Sequence, residues 1–398
     1  MKRHLLCTFL LAIISNLGLL LAQTVTPSWA VLPSNTSPNS ITADPAGNIY
    51  VANNNSTVTK IASDGTVTAG WAVLPGSSIR RGVVTDASGN VYTTNYGDGT
   101  VSKITAGGEV TEAWATLGAG PTSITIDGSG NVYTVNIGNS TVSKVTPDGV
   151  VTSVWATLAA HTLPWSIIAD GAGNLYTSNT ASNTISKITP AGVVTQTWAT
   201  VASGTYISSN TFDASGNLYT INSLDGTISK ITPEGVVTQP WSSVGSEAGP
   251  SFMIKDKEGN FYTANGNNTV SKITPAGVVI PAWATLPAGA GPQALVFDPS
   301  GNLYTLNTGN NTVSKILPPI HPDGNGILYV DSSAASGGDG SSWATAVPDL
   351  SDALHYAWTY AAAWETTGLQ IYVAKGTYLP QYSASDNTLA VGDRNDAL

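Results

Sequence analysis

Thr122-Ser-Ile-Thr-Ile-Asp-Gly-Ser-Gly-Asn-Val-Tyr-Thr-Val-Asn136, followed by Thr141-Val-Ser-Lys-Val145 and Gly149-Val-Val-Thr-Ser-Val-Trp155, decides the fold. It holds four short runs rich in Val, Ile, Thr and Tyr: Ser123 to Ile126, Val132 to Asn136, Thr141 to Val145 and Val150 to Trp155. Such residues suit a pleated, half-buried surface. An Asp-x-x-Gly-Asn turn, a polar break and a Pro-Asp-Gly turn at Pro147 to Gly149 separate the runs, which are the signals of successive hairpins.

The same text recurs along the chain. Tyrosine of the Gly-Asn-x-Tyr step stands at Tyr50, Tyr92, Tyr133, Tyr176, Tyr219, Tyr262 and Tyr304. Tryptophan stands at Trp29, Trp71, Trp114, Trp155, Trp198, Trp241 and Trp283, and both ladders step by 41 to 43 residues. Four antiparallel strands in a period of about 40–45 residues are the blade of a β-propeller. With the strands lettered a to d, the chain opens on an orphan d strand, Thr24 to Leu32, and closes on an orphan a-b-c set, Ala294 to Ile316. The two orphans complete a seventh blade. The expected fold class is therefore all-β, a seven-bladed propeller over residues 23–317 latched by its own termini, which removes the sheet edges at the joint. Pro27, Pro240 and Pro281 on strand d fit an outer edge strand.

These repeats resemble those of NHL-type and streptogramin-lyase-type propellers, whose motif is an Asp-x-x-Gly-Asn-x-Tyr-Val-x-Asp step followed by a strand bearing Lys or Arg. The resemblance covers residues 24–317. It departs at the second acid, which is asparagine in every repeat: Asn53, Asn95, Asn136, Asn179, Asn222, Asn265 and Asn307.

Each repeated residue has a structural reading and a sharper one. Asp44, Asp86, Asp127, Asp170, Asp213, Asp256 and Asp298 open the a–b turns, where a carboxylate can accept N–H groups of its own turn. One acid per loop is too few for calcium, which takes six to eight oxygens, so no metal site is expected. The tryptophans offer apolar surface for packing sheet on sheet, with sugar stacking as the alternative. Lys60, Lys103, Lys144, Lys187, Lys230, Lys272 and Lys315 are expected to lay their stems on the blade and keep the ammonium in water, with an anion-binding ring as the alternative. The repeated Asn either caps the b–c hairpin, the favoured reading, or rings the channel mouth.

Residues 1–22 have a basic start (Lys2, Arg3) and an apolar run from Leu5 to Leu21, the pattern of a secretory signal peptide. Cys7 is the only cysteine and lies in that leader, so disulfides and thiol chemistry are excluded from the mature chain. The formal charge is −10, and losing Lys2 and Arg3 would leave −12. An acidic chain without a basic tract argues against nucleic acid, and no later apolar run reaches membrane length.

Antiparallel order puts the a–b and c–d turns on one face, where the repeats agree. The d–a and b–c loops share the other face, where they differ, and loops that vary on a constant scaffold are where function concentrates. That face collects Arg80, Arg81, Tyr96, His161, Trp165, Tyr206 and Glu247 as candidate binding residues. The resemblance to streptogramin lyases implies a histidine general base and a magnesium ion held partly by acids. His161 is the propeller's one histidine, and acids such as Glu112 and Glu247 are scattered, so no catalytic residue and no cofactor is expected.

Residues 318–326 read as a Pro/Gly linker. Beyond it, Ile327-Leu-Tyr-Val-Asp331, the Gly337-to-Trp343 turn, a helical pattern over 350–365 and Leu369 to Tyr378 give a strand–turn–helix–strand order. This short α+β segment, 327–398, resembles the cap and first coil of right-handed parallel β-helix domains of bacterial surface proteins and polysaccharide (pectate-type) lyases. Coils need stacked neighbours, so the sequence is expected to be a fragment of a longer chain, monomeric within it. The function expected is a secreted, non-enzymatic binding or display module of a bacterial surface protein, with an unknown protein or glycan partner. A streptogramin (virginiamycin B) lyase-like enzyme is the first alternative. An accessory that recognises polysaccharide for a β-helix lyase is the second.

Overall fold

Each repeat makes a sheet whose faces it cannot bury alone, and the computed structural model shows how seven such sheets bury one another. The structure describes residues 23, 25–74, 80–202, 206–317, 326–334, 340–348, 350, 353–354 and 369–374. Blades 1 to 6 occupy residues 38–73, 80–116, 121–157, 164–200, 207–243 and 250–285, each an antiparallel sheet in the order a-b-c-d. Blade 7 takes strands a, b and c from Pro292–Phe297, Leu303–Asn307 and Thr312–Ile316, and strand d from Val25–Val31. In that joint Val25 lies opposite Ile316, Thr26 opposite Lys315, Ala30 opposite Val313 and Val31 opposite Thr312. The Leu32 N–H donates to the carbonyl of Asn311 at 2.9 Å. The ring is closed by its two ends, as the phase of the repeats requires.

Strand b is buried at every position in all seven blades, so it forms the middle of each core layer. Its tyrosine packs on the tryptophan of the same blade's strand d with ring centroids 4.7–5.2 Å apart and planes steeply tilted, a geometry that suits the aromatic quadrupoles. The tryptophan also meets the next blade. A Cβ on Gly149, in the c–d turn of blade 3 at φ +87, would lie 3.3 Å from Nε1 of Trp114 in blade 2, so that turn needs glycine for both conformation and space.

The a–b turns are closed systems. Asp127 Oδ1 accepts the N–H groups of Ser129 and Asn131 at 2.9 Å each, while Oδ2 accepts Asn131 Nδ2 at 2.8 Å and the Tyr133 hydroxyl at 3.1 Å. Asp44, Asp86, Asp170 and Asp213 repeat all four bonds, and the Asn and Tyr contacts recur at Asp256 and Asp298. Burial alone would raise the carboxyls of Asp86, Asp127 and Asp213, but the donors around them hold all three below the ordinary value. Burial, reinforced by the aspartate, pushes the seven partner phenols well above theirs. No group of three or more His, Cys, Asp or Glu able to hold a metal occurs among the described residues.

The repeated asparagine is a hairpin cap. Asn136 Nδ2 donates to Thr141 Oγ1 at 3.0 Å and to Ser143 Oγ at 2.8 Å, and each blade makes the same pair of bonds. The lysines lie along the blades with their Nζ atoms 5.4–5.7 Å from the tyrosine centroids, half-exposed in six blades and buried at Lys315. The ring faces attract the ammonium and repay part of its desolvation. In Lys272 and Lys315 burial lowers the ammonium pKa.

Beyond the propeller, Ile327–Val330 pairs in parallel with Gln370–Val373, and Val330 bridges to Val347. Leu328, Val330, Val347 and Ala353 form a small buried cluster. No stacked β-helix coil is present among the described residues. The leader at 1–22, nearly all of the linker and most of the helix expected over 350–365 lie outside them. No described helix is long and apolar enough to cross a membrane.

Candidate functional site

Strand a is the innermost strand, and its pairing slips at one place in every blade. In blade 3 Pro121 lies opposite Asn136, but pairing resumes with Ser123 opposite Val135, so Thr122 is extra. The same irregularity follows Pro38, Arg80, Pro164, Ile207, Pro250 and Pro292. A bulge re-aims the residue it carries. Here the second residues of the seven strands, Asn39, Arg81, Thr122, Trp165, Ser208, Ser251 and Gln293, all line one cavity of about 600 Å³ on the propeller axis. It lies towards the face of the d–a and b–c loops and draws on all seven blades.

Arg81 is the only charged residue among the described residues lining the cavity. Its guanidinium carbon stands 4.4 Å from the ring centroid of Tyr96 and 5.4 Å from that of Trp165. Blade 2 therefore reaches past blade 3 to blade 4, and two π faces hold the guanidinium. Gly120 makes room for this: at φ +68, a Cβ there would lie 3.2 Å from Cε2 of Tyr96. The Arg81 Nε is buried without a hydrogen-bond partner among the described residues.

Two positions further along strand a, six blades carry Ile41, Val83, Ile124, Ile167, Met253 and Leu295, while blade 5 carries Asn210. Asn210 lines the same cavity and is only 8 % exposed. Its Oδ1 accepts the Ser178 hydroxyl at 2.8 Å, and its Nδ2 has no partner among the described residues. Leaving such a group unmade inside a protein costs about 1–3 kcal/mol.

The structure brings four of the seven sequence candidates together and leaves three apart. Arg81, Tyr96 and Trp165 form the stack, and Tyr206, at φ +54 just before strand a of blade 5, lines the cavity. Arg81 and Trp165 are strand residues presented by bulges, not loop residues as the sequence suggested. Arg80 pairs through its backbone with Asn95, and its side chain is outside the described set. His161 is exposed in the loop joining blades 3 and 4, Glu247 is exposed in the short helical turn Ser246–Ala248, and neither lines the cavity. Asn39, Ser208, Asn210, Ser251 and Gln293 went unnoticed in the sequence. Superposing the seven a strands residue by residue exposes them, because Asn210 breaks an apolar column.

Magnesium does not fit this lining. The ion prefers carboxylate oxygens and retained waters, whereas the described residues of the cavity offer a guanidinium, neutral hydroxyls and amides, and no carboxylate.

Residues 15–204 match the profile of the virginiamycin B lyase family. No curated protein matches the sequence. Among solved structures, a streptogramin B lyase aligns with a TM-score of 0.67 at 17 % identity, over 74 % of this chain and 97 % of the other. Virginiamycin B lyase from Staphylococcus aureus aligns with a TM-score of 0.63 at 17 % identity, over 74 % and 98 % of the two chains. A catalytically inactive histidine-to-alanine variant of that enzyme with quinupristin aligns with a TM-score of 0.63 at 18 % identity, over 72 % and 97 %. At these identities the likeness is one of fold.

Proposed function

We propose that the propeller is a non-enzymatic binding module of a secreted, surface-displayed protein, and that its site is the ring of bulged residues at the mouth of the axial cavity. The observation that carries this reading is the contact of the Arg81 guanidinium with the ring faces of Tyr96 and Trp165 at a concave, hydroxyl-lined space. Concave sites with a few convergent polar groups are where small ligands bind. The leader-like residues 1–22 and the acidic composition support export. General-base chemistry needs a base within hydrogen-bond reach of a substrate proton. The one histidine of the propeller, His161, is exposed and outside the cavity lining.

The second reading is a lyase, favoured by the family match over residues 15–204. One experiment separates the two. The purified chain is incubated with quinupristin and magnesium, followed by chromatography, and its melting is screened in parallel against small molecules and oligosaccharides. The binding reading expects no ring opening and at least one ligand that raises the melting temperature of the wild type but not of Trp165→Ala. Turnover that His161→Ala abolishes would establish the lyase instead, and a panel that never shifts melting would remove the binding reading.

A further inference from the structure

We infer that the ligand of the axial cavity is a small monocarboxylate carrying an aromatic or apolar body, received by Arg81 and Asn210; the inference rests on the cavity being a binding site. It starts from an imbalance of charge. The chain holds 25 acidic and 15 basic residues, yet the described residues that line the axial cavity include one cation and no acid. In a protein with acids to spare, an arginine kept among neutral side chains is set apart from its ordinary partners.

The geometry narrows the class. Tyr96 and Trp165 present their ring faces to the guanidinium, and the Nε on its edge has no hydrogen-bond partner among the described residues. That edge is a planar fork matched to the two oxygens of a carboxylate. Asn210 adds an unpaired amide end from blade 5, at a column that is apolar in the other six blades. Serine and threonine hydroxyls from the intervening strands can serve further acceptors. Trp165, Tyr206 and Phe252 supply the apolar surface for the remainder of the ligand. A single cation balances one negative charge, which favours a carboxylate over phosphate.

Matched pairs of probes test this: benzoate with benzamide, and 4-hydroxyphenylacetate with its primary amide, titrated into the purified chain at neutral pH by ligand-observed NMR. Each carboxylate is expected to bind at least about tenfold more tightly than its amide, the scale of one charge-assisted hydrogen bond. Arg81→Ala should erase that preference, and Arg81→Lys should restore only part of it because the charge returns without the fork. Asn210→Val should weaken carboxylate binding while leaving the melting temperature unchanged or higher, a combination that a purely structural asparagine would not give. Inorganic phosphate should fail to compete. Equal binding of acid and amide, or competition by phosphate as strong as by benzoate, would overturn the monocarboxylate and leave the cavity a binding site. Probes and oligosaccharides that all fail to bind would take the binding reading down as well.

Discussion

The innermost strand of each blade begins and ends by opposite rules. At its end all seven blades have aspartate in a turn that satisfies the carboxylate from its own neighbours. At its start the bulged residue is Asn, Arg, Thr, Trp, Ser, Ser and Gln around the ring. The difference follows from where each side chain finds its partners. A group satisfied inside its own turn can be copied seven times at no cost to the other copies. A group aimed at the axis shares one cavity with six others, and seven copies of a charge there would repel. Repetition therefore builds the frame, and departure from repetition builds the site.

The largest expected effect falls on the frame. Deleting Val25–Val31 would bare the strand edge of Thr312–Ile316 and remove Ala30 and Trp29 from the packing of Tyr304 and Val313. We expect the cooperative melt seen by circular dichroism to be lost, and an unchanged melt would break the claim that this strand closes the ring. Next comes Asp127→Ala, which strands the Asn131 amide, the Tyr133 hydroxyl and two backbone N–H groups. It should cost about 2–4 kcal/mol by urea denaturation while leaving ligand binding intact. A cost near zero would mean that the turn does not depend on its carboxylate.

The pH dependence should belong to the frame alone. Asp86, Asp127 and Asp213 have folded pKa values below the ordinary 3.8. Their contribution is thus complete above that value and is lost as pH falls through the lower folded ones. The buried tyrosines are raised from 10.0. Their contribution is complete below that value and is lost above it, where unfolded phenols ionise first. Stability measured against pH should fall off at both ends of this window, identically in the wild type and in Arg81→Ala. A window that shifts with Arg81 would blur the division between frame and site.

Smaller effects sharpen it further. Gly120→Ala should cost about 1 kcal/mol, since alanine is strained at positive φ, and should also push Tyr96 off Arg81. Its signature is a larger loss in ligand affinity than its modest loss in stability would suggest. Arg81→Ala should alter the melting free energy least, by about 0.5–1 kcal/mol for the lost ring contacts, although it removes the only charge among the described residues of the cavity. A large destabilisation there would make Arg81 part of the frame.

The frame was legible because its signals are local and repeated. Asp127, Gly130, Asn131 and Tyr133 lie within one turn of chain, and the orphan strand around Trp29 follows from counting periods. The site was legible only in part. Arg81, Tyr96, Trp165 and Tyr206 stood out as departures in the variable segments, but nothing local says that Arg81 reaches past a whole blade to Trp165. That contact depends on the bulge in strand a and on the missing side chain of Gly120. Asn210 was invisible as a loop residue because it is not one. The ring faces beneath the lysine tips were not legible, because the Tyr of strand b and the Trp of strand d come together only once the sheet places strand c, with its lysine, between them.

Closure by Val25–Val31 sets a timetable as well as a topology. The strand made first pairs with Thr312–Ile316, which is made last. On a ribosome adding roughly 5–20 residues per second, that opening strand waits on the order of tens of seconds with its tryptophan and its backbone unmatched. The first six blades can form behind it in order of their synthesis, but the circle is sealed only when the polypeptide is nearly through the propeller. Until then the newborn chain has a sticky end, and whatever shields Trp29 during that wait protects the whole ring from aggregation.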